Sequence, residues 1–331
     1  MAPQYYSLCS TYESITVAVT ALSNASTLVV DCEARDIART TGVLSIVSIS
    51  DVDARSVFLI DALALQYPSH PAFKPLFDLL ENEAVMKLIW DGRADAIELR
   101  ETYGVELGGV LDLQLVEVVS RPSARGETDA VRRQRLSRGY FREIKKDISR
   151  NPTEFEGIHQ ICGMDTCLKA RGINDRKDAA VVALHKTGSD PNMWLQRPLP
   201  RMLLKYAAHD LELIAQLYTN FLRAGWINRR NLPLLKQQSA RYLRTYHTRA
   251  VKDLFDKRGL GLFVPLHVLD APPATARLFE CEGCRQELVL RCYVTVRWNQ
   301  GRVHQRLTFC KLCAALAKRN SEASKGNWVP V

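Results

Sequence analysis

From Ser26 onward the chain alternates two patterns: short apolar runs with every second residue polar or small, and longer segments in which apolar residues recur at helical spacing. Leu28-Val29-Val30-Asp31-Cys32-Glu33 predicts a first strand, Thr41 and Gly42 a turn, Val43 to Ser50 a second strand, Asp51 to Arg55 another turn, and Val57 to Ile60 a third strand. These three form an antiparallel meander. Pro71 to Glu81 then has helical spacing, Val85 to Trp90 is an apolar run, Arg93 to Tyr103 is a second helical stretch, and Gly109 to Asp112 is a short strand. Strands alternating with helices require crossovers, so this part of the sheet is parallel. The expected fold class is α/β, a mixed β-sheet flanked by helices on both faces, with no internal repeat.

Further on, prolines at 198 and 200 set the start of a long helix. Its apolar face is supplied by Met202, Leu203, Leu204, Leu211, Leu213, Ile214 and Leu217. Past Gly225 the segment Asn231 to Lys257 is helical and basic, and Leu269 to Pro273 reads as a linker. Glu287 to Trp298 and Arg302 to Phe309 are strand-like and joined at Asn299-Gln300-Gly301, which predicts a hairpin. The chain has 331 residues, enough for two domains at about 150 residues each. The expected organisation is a domain over 1–225 with a basic insertion at 121–150, a basic helical linker over 226–273, and a small C-terminal domain over 274–331.

Charge adds a division that the pattern does not show. Residues 1–120 carry seven Lys or Arg against 17 Asp or Glu, whereas residues 121–331 carry 38 against 19. An acidic first part followed by a basic remainder suits a carboxylate centre beside surfaces that grip a polyanion, and nucleic acid is the expected partner. The insertion at 121–150 holds ten basic residues against four acidic ones, and Arg132, Arg133, Arg135 and Arg138 are its candidate phosphate contacts. The bland alternative is a solvated arm. Tyr140 and Phe141 either stack on bases or anchor that arm. No apolar run approaches the roughly 18 residues of a membrane span, and Met1 to Ser10 lacks the layout of a secretory leader. Membrane-spanning and secreted classes are thereby set aside, and a cytoplasmic or nuclear protein is expected.

Asp31 and Glu33 share one face of their strand, while Cys32 points into the opposite layer. Two adjacent carboxylates repel, and a hard cation held by oxygen ligands relieves them. Taken alone the pair equally suits a strand running into a charged turn. Asp95 lies in the first turn of a predicted helix, where an acid also stabilises the helix dipole. Tyr206 and Asp210 stand one turn apart on the long helix, where a structural hydrogen bond would account for them equally well. Cys281-x-x-Cys284 and Cys310-x-x-Cys313, separated by 25 residues, match the four-thiolate site of a zinc ribbon. A disulfide pair is the alternative, and a non-secreted chain disfavours it. His159, Cys162 and Cys167 are irregularly spaced and read as core residues, as do Cys9, Cys32 and Cys292.

Asp31-x-Glu33 at the end of the first strand, Asp95 after the fourth, and Tyr206-Ala207-Ala208-His209-Asp210 on the late helix together resemble the DEDDy branch of the DnaQ-like 3′-5′ exonucleases. Ribonuclease D and the exonuclease domain of Werner helicase belong to that branch. Lys87-Leu88-Ile89, Val110-Leu111-Asp112 and the stretch Trp194 to Pro198 share the likeness, which covers about residues 26–222. Trp90 departs from it, since relatives often have a small residue or His there. The resemblance implies a ribonuclease H-like fold and two-metal phosphodiester hydrolysis. Asp31 would bridge two Mg²⁺ or Mn²⁺ ions, Glu33 and Asp210 would hold the nucleophile-side ion, Asp95 would support the other, and Tyr206 would orient the attacking water. The expected function is a metal-dependent 3′-5′ exonuclease on single-stranded RNA, favoured by family analogy, with DNA as the alternative substrate. A catalytically idle nucleic-acid-binding adaptor on the same fold, as some eukaryotic exonuclease-domain-containing proteins are, is the second functional class, and a complex subunit whose ribbon recruits a partner is a third. One structural Zn²⁺ is expected at Cys281, Cys284, Cys310 and Cys313, in a ribbon that contacts nucleic acid or docks on a protein partner.

Overall fold

The structure, a computed structural model, describes residues 5–246, 248–297 and 303–331. The described chain forms two compact units. One comprises the residues up to Glu117 together with Gly163–Lys252, and the other comprises Val118–Cys162 together with Asp253–Val331.

The first unit is built on a six-stranded sheet: β1 Tyr6–Cys9, β2 Thr27–Arg35, β3 Val43–Asp51, β4 Val57–Asp61, β5 Met86–Ile89 and β6 Val110–Asp112, in the order β1-β4-β3-β2-β5-β6. The expected meander is present, since β2, β3 and β4 pair antiparallel, and β5 and β6 extend the sheet in parallel from β2. Strand β1 is an addition that periodicity does not reveal. It is four residues long and pairs in parallel with β4, from Tyr6 opposite Val57 to Cys9 opposite Ile60. So short a run carries no alternation of its own.

Alternation along the sheet separates two chemistries. Val30, Cys32, Val47, Ile49, Phe58 and Ile60 pack into one core with Ile15 and Leu22 of helix Tyr12–Leu22, Phe73, Leu76 and Leu80 of helix Phe73–Glu81, and Leu99 of helix Arg93–Tyr103. On β2 this leaves Asp31 and Glu33 for the other face, where the 23-residue helix Arg201–Arg223 lies against β2, β3, β4 and β5. That helix buries Leu203, Leu211, Leu213, Ile214, Leu217 and Phe221. Each fully buried Leu or Ile contributes about 2 kcal/mol, enough in sum to offset the burial of Tyr206 and Asp210 among them.

The start of the helix is pinned from the sheet. Arg197 donates through Nε and Nη2 to the two Asp61 carboxylate oxygens, each at 2.7 Å, and through Nη2 to Ser45 Oγ at 3.0 Å. Ser45 Oγ in turn donates to the Trp194 carbonyl at 2.5 Å. Trp194 through Pro198 is thus a clamp on β3 and β4, and it sets the height at which Tyr206 and Asp210 meet β2.

Helix Leu232–Leu243, expected as part of a linker, belongs to this unit and packs against β6 with Leu235, Tyr242 and Leu243 buried. The Asp112 N–H donates to Ser239 Oγ at 3.0 Å, and Tyr242 OH donates to Gln114 Oε1 at 2.7 Å.

In the second unit the insertion and the C-terminal segment build one core, so its boundaries fall elsewhere than the sequence pattern placed them. Strand Ile158–Gln160 pairs antiparallel with Phe263–Pro265. Phe141 is fully buried and stacks on Phe263 with ring centroids 4.9 Å apart, and the Arg319 guanidinium lies 4.2 Å over the Tyr140 ring. Both aromatics anchor. His159 and Cys167 are buried as expected of core residues.

Arg132 also corrects an expectation. It is buried, donating through Nη1 to the carbonyls of Phe155 at 2.6 Å and Ile158 at 2.7 Å, and it pairs with Asp129. A count of charges treats every arginine as solvated, whereas this one crosslinks its own segment. Arg132→Ala leaves two buried carbonyls without a donor and is expected to cost about 3 kcal/mol. Arg138→Ala, at an exposed position, is expected to change stability by less than about 0.5 kcal/mol. Chemical denaturation of both variants checks this, and equal midpoints would show that the carbonyl contacts contribute nothing.

The C-terminal part contains Leu278–Glu280 paired with Glu287–Val289, and Tyr293–Arg297 paired with Val303–Cys310, which also pairs with Trp328–Pro330. The expected strand from Glu287 is interrupted by a 3-10 turn at Leu290–Cys292. The expected turn at Asn299-Gln300-Gly301, with Trp298 and Arg302, lies outside the described residues. Among the described residues no helix is long and apolar enough to cross a membrane.

Candidate active site

Strand β2 pairs with β5 only over Thr27–Val29, so further along its N–H groups on that side lose their strand partner. The Cys32 N–H is taken up by Asp95 Oδ1 at 2.8 Å, which ties the head of helix Arg93–Tyr103 to the backbone between Asp31 and Glu33. Immediately after Glu33 the register with β3 shifts, Glu33 pairing with Ile46 and Ala34 with Leu44, so the extra residue is Ser45 of β3 and the irregularity lies beside the acids. Asp31, half-buried, meets buried Glu33 and Asp210, and one carboxylate oxygen from each lies within 4.8 Å of the others. Asp95 is buried beside this group but is not one of its three converging members.

The position of Asp95 is itself built. The Asp112 carboxylate accepts from the N–H groups of Gly92 at 2.8 Å, Gln114 at 2.9 Å and Leu115 at 3.1 Å, joining the turn before one helix to the start of the next. Arg93 pairs with Asp91 at 2.6 Å, donates to Tyr246 OH at 2.6 Å, and lies 4.5 Å over the Tyr242 ring. Asp91 and Arg93 therefore hold the turn rather than face the site.

Like charge under burial raises these carboxyls. Burial, then the charges of Asp95 and Asp210, hold Asp31 well above the ordinary carboxylate range. Burial, then Asp31 and Asp210, do the same to Glu33. Burial pushes Asp95 up to about 7 against two backbone N–H bonds. Asp210 is raised by burial as well, with Lys177 opposing. Among the described residues Asp210 Oδ1 is buried without a hydrogen-bond partner. A carboxylate cluster with such an oxygen fits a hard divalent cation.

Tyr206 is buried one turn before Asp210, with its ring 6.3 Å from that of Trp194. Burial, then Asp210, raises its phenol far above ordinary, so it keeps its proton at neutral pH. The sequence reading overlooked Lys177. Its Nζ lies 2.5 Å from Asp210 Oδ2 and donates to Tyr206 OH at 3.1 Å. Nothing in the polar stretch Asn174 to Asp178 signals this by periodicity, because a loop residue reaches a site by tertiary placement alone.

In the second unit, Cys281, Cys284, Cys310 and Cys313 are buried free thiols whose sulfurs lie within 4.8 Å of one another. The Cys310 N–H donates to Cys281 Sγ at 3.1 Å. A Cβ added at Gly283 would stand 2.7 Å from Cys313 Cβ, so the first knuckle needs a glycine to close on the second. This arrangement fits a zinc-binding module. Of the other expected phosphate contacts, Arg133 pairs with Asp129, Arg135 pairs with Glu127, and Arg138 is exposed.

Comparison with known proteins bears on the fold and the family likeness. A family model described as a 3′-5′ exonuclease matches residues 6–125. Among solved structures, RNase D of Trypanosoma brucei is similar at 26% identity and a TM-score of 0.55, over 75% of this chain and 75% of its own. The same RNase D in complex with GMP gives 26% identity and a TM-score of 0.54, over 74% of this chain and 64% of its own. Its complex with RNA U12 gives 26% identity and a TM-score of 0.53, over 74% and 71%. A search of curated proteins finds no match. The resemblance to the 3′-5′ exonucleases is borne out, and the mixed sheet with its flanking helices has RNase D as a structural neighbour.

Proposed function

We propose that this chain is a divalent-metal-dependent 3′-5′ exonuclease that removes nucleotides from single-stranded RNA. The convergence of Asp31, Glu33 and Asp210 oxygens on one point, with Asp95 bonded to the backbone between the first two, carries this reading. The RNA preference draws support from the similar RNase D having been solved with RNA. Asp31, Glu33, Asp95 and Asp210 would hold two Mg²⁺ or Mn²⁺ ions, for which oxygen ligands are suited. When bound, such ions supply a hydroxide nucleophile at neutral pH and relieve charge on the leaving oxygen. The protein's own contribution is to keep four carboxylates fixed on β2 and on the 93–103 and 201–223 helices. Tyr206 adds a protonated hydroxyl beside Asp210, placed to orient a water molecule. Cys281, Cys284, Cys310 and Cys313 would hold one structural Zn²⁺, and Arg138 is the insertion's proposed phosphate contact.

The test is digestion of 3′-labelled and 5′-labelled single-stranded RNA and DNA with Mg²⁺ or Mn²⁺. Wild type is expected to shorten RNA stepwise from the 3′ end. Tyr206→Phe keeps the ring and the carboxylates but loses the hydroxyl, and is expected to lower turnover about a hundredfold with KM nearly unchanged. An idle adaptor predicts metal-independent binding and no shortening of any strand, and faster shortening of DNA than of RNA would reassign the substrate.

A further inference from the structure

The acidic centre contains a cation of its own, on a loop built to deliver it. Lys177 Nζ stands 2.5 Å from Asp210 Oδ2 and 5.1 Å from the centroid of the Tyr206 ring, and its side chain is 22% exposed. The backbone on both sides of it is fastened. Asp175 accepts from Gln216 Nε2 at 2.8 Å and bonds His209 Nε2 at 3.0 Å, both on helix Arg201–Arg223. The Lys177 N–H donates to Asp165 Oδ1 at 3.2 Å, and Asp178 caps helix Ala179–Thr187 by accepting from Ala180 at 2.8 Å and Val181 at 3.3 Å. A long side chain anchored at successive residues does not reach a buried carboxylate by accident of solvent exposure.

Resting on the reading of Asp31, Glu33 and Asp210 as a divalent-ion site, we propose that Lys177 is the internal counter-ion of that site and sets its metal affinity by competing for Asp210. In the metal-free protein the ammonium neutralises part of the charge of Asp31, Glu33 and Asp210 and keeps the centre folded. An ion that uses Asp210 must either displace the ammonium from Oδ2 or sit beside it on Oδ1. Both arrangements set positive charge against positive charge, so the sign of the effect is the same in each. Removal of the lysine therefore has two opposite consequences: a less stable metal-free protein, and tighter divalent binding.

The experiment titrates the full-length protein with Mn²⁺ alone, without nucleic acid, and follows the loss of the free Mn²⁺ electron paramagnetic resonance signal and the thermal midpoint. Mn²⁺ belonging to the acidic centre is the part lost in Asp31→Asn. Lys177→Met is expected to bind that Mn²⁺ about tenfold more tightly, the equivalent of one charge-assisted hydrogen bond. Its metal-free midpoint should fall and its gain in midpoint on adding Mn²⁺ should exceed that of wild type. Lys177→Arg, which keeps the charge, should stay within about threefold of wild type. A Lys177→Met protein that folds only with Mn²⁺ present supports the proposal, and Lys177→Gln then supplies the affinity. Equal or weaker Mn²⁺ binding by Lys177→Met and Lys177→Gln, with Asp31→Asn still abolishing it, would overturn the counter-ion and leave the metal site standing. If no variant and no wild type binds Mn²⁺, the metal site and the counter-ion fall together.

Discussion

Asp31→Asn is expected to abolish 3′-end trimming while leaving the metal-free protein at least as stable as wild type. Asparagine keeps the shape of the side chain on β2, so the sheet and the opposite core with Cys32 are untouched. What is lost is a full charge at the point where Glu33 and Asp210 converge. Metal ions contribute several kcal/mol of transition-state charge stabilisation in such centres, so a fall in turnover of about a thousandfold or more is expected. Stability moves the other way for a separate reason. Burial, then Asp95 and Asp210, already disfavours the Asp31 carboxylate, and a neutral amide is free of that repulsion. Single-turnover cleavage together with thermal unfolding checks both halves. Wild-type turnover by Asp31→Asn would show that the reaction centre lies elsewhere.

Loss of the four-thiolate site is expected to unfold the whole second unit, insertion included. Structural zinc sites contribute about 10–16 kcal/mol, comparable with or above the entire stability of a typical domain. Cys284→Ser or Cys310→Ser should reduce bound zinc from one per chain to none. Hydrogen exchange should then become fast over 118–162 as well as over 253–331, because strand Ile158–Gln160 and strand Phe263–Pro265 share one core. Exchange in strands β2 and β3 should stay slow. Folded wild-type protein that contains no zinc by metal analysis would defeat this prediction.

The parts of this molecule that were legible in its sequence are those governed by local periodicity. Asp31, Cys32 and Glu33 declare their faces because a strand alternates, and Cys32 does lie in the core with Ile15 and Phe73. Tyr206 and Asp210 declare theirs because a helix turns every 3.6 residues. Cysteine spacing behaves likewise, since two knuckles and their hairpin are near in sequence. What stayed hidden depends on distant partners. Strand β1 exists only because β4 offers an edge. Lys177 is marked by nothing but its tertiary destination, and Arg132 looks like any surface arginine until the Phe155 and Ile158 carbonyls are seen around it. The second unit could not be drawn from composition, because its halves are separated by ninety residues of the first.

That separation has a consequence during synthesis. The aromatic ring of Phe141 packs on Phe263, which leaves the ribosome about 120 residues later. At ~5–20 residues per second the delay is about 6–24 s, far longer than the microseconds to milliseconds in which a local element forms. During that interval Phe141 and the Ile158–Gln160 edge await Phe263 and strand Phe263–Pro265, while the acid-bearing sheet can already close around Arg201–Arg223. The nascent protein therefore passes through a stage in which the acid-bearing sheet is assembled while the ring of Phe141 still lacks the Phe263 face it packs on.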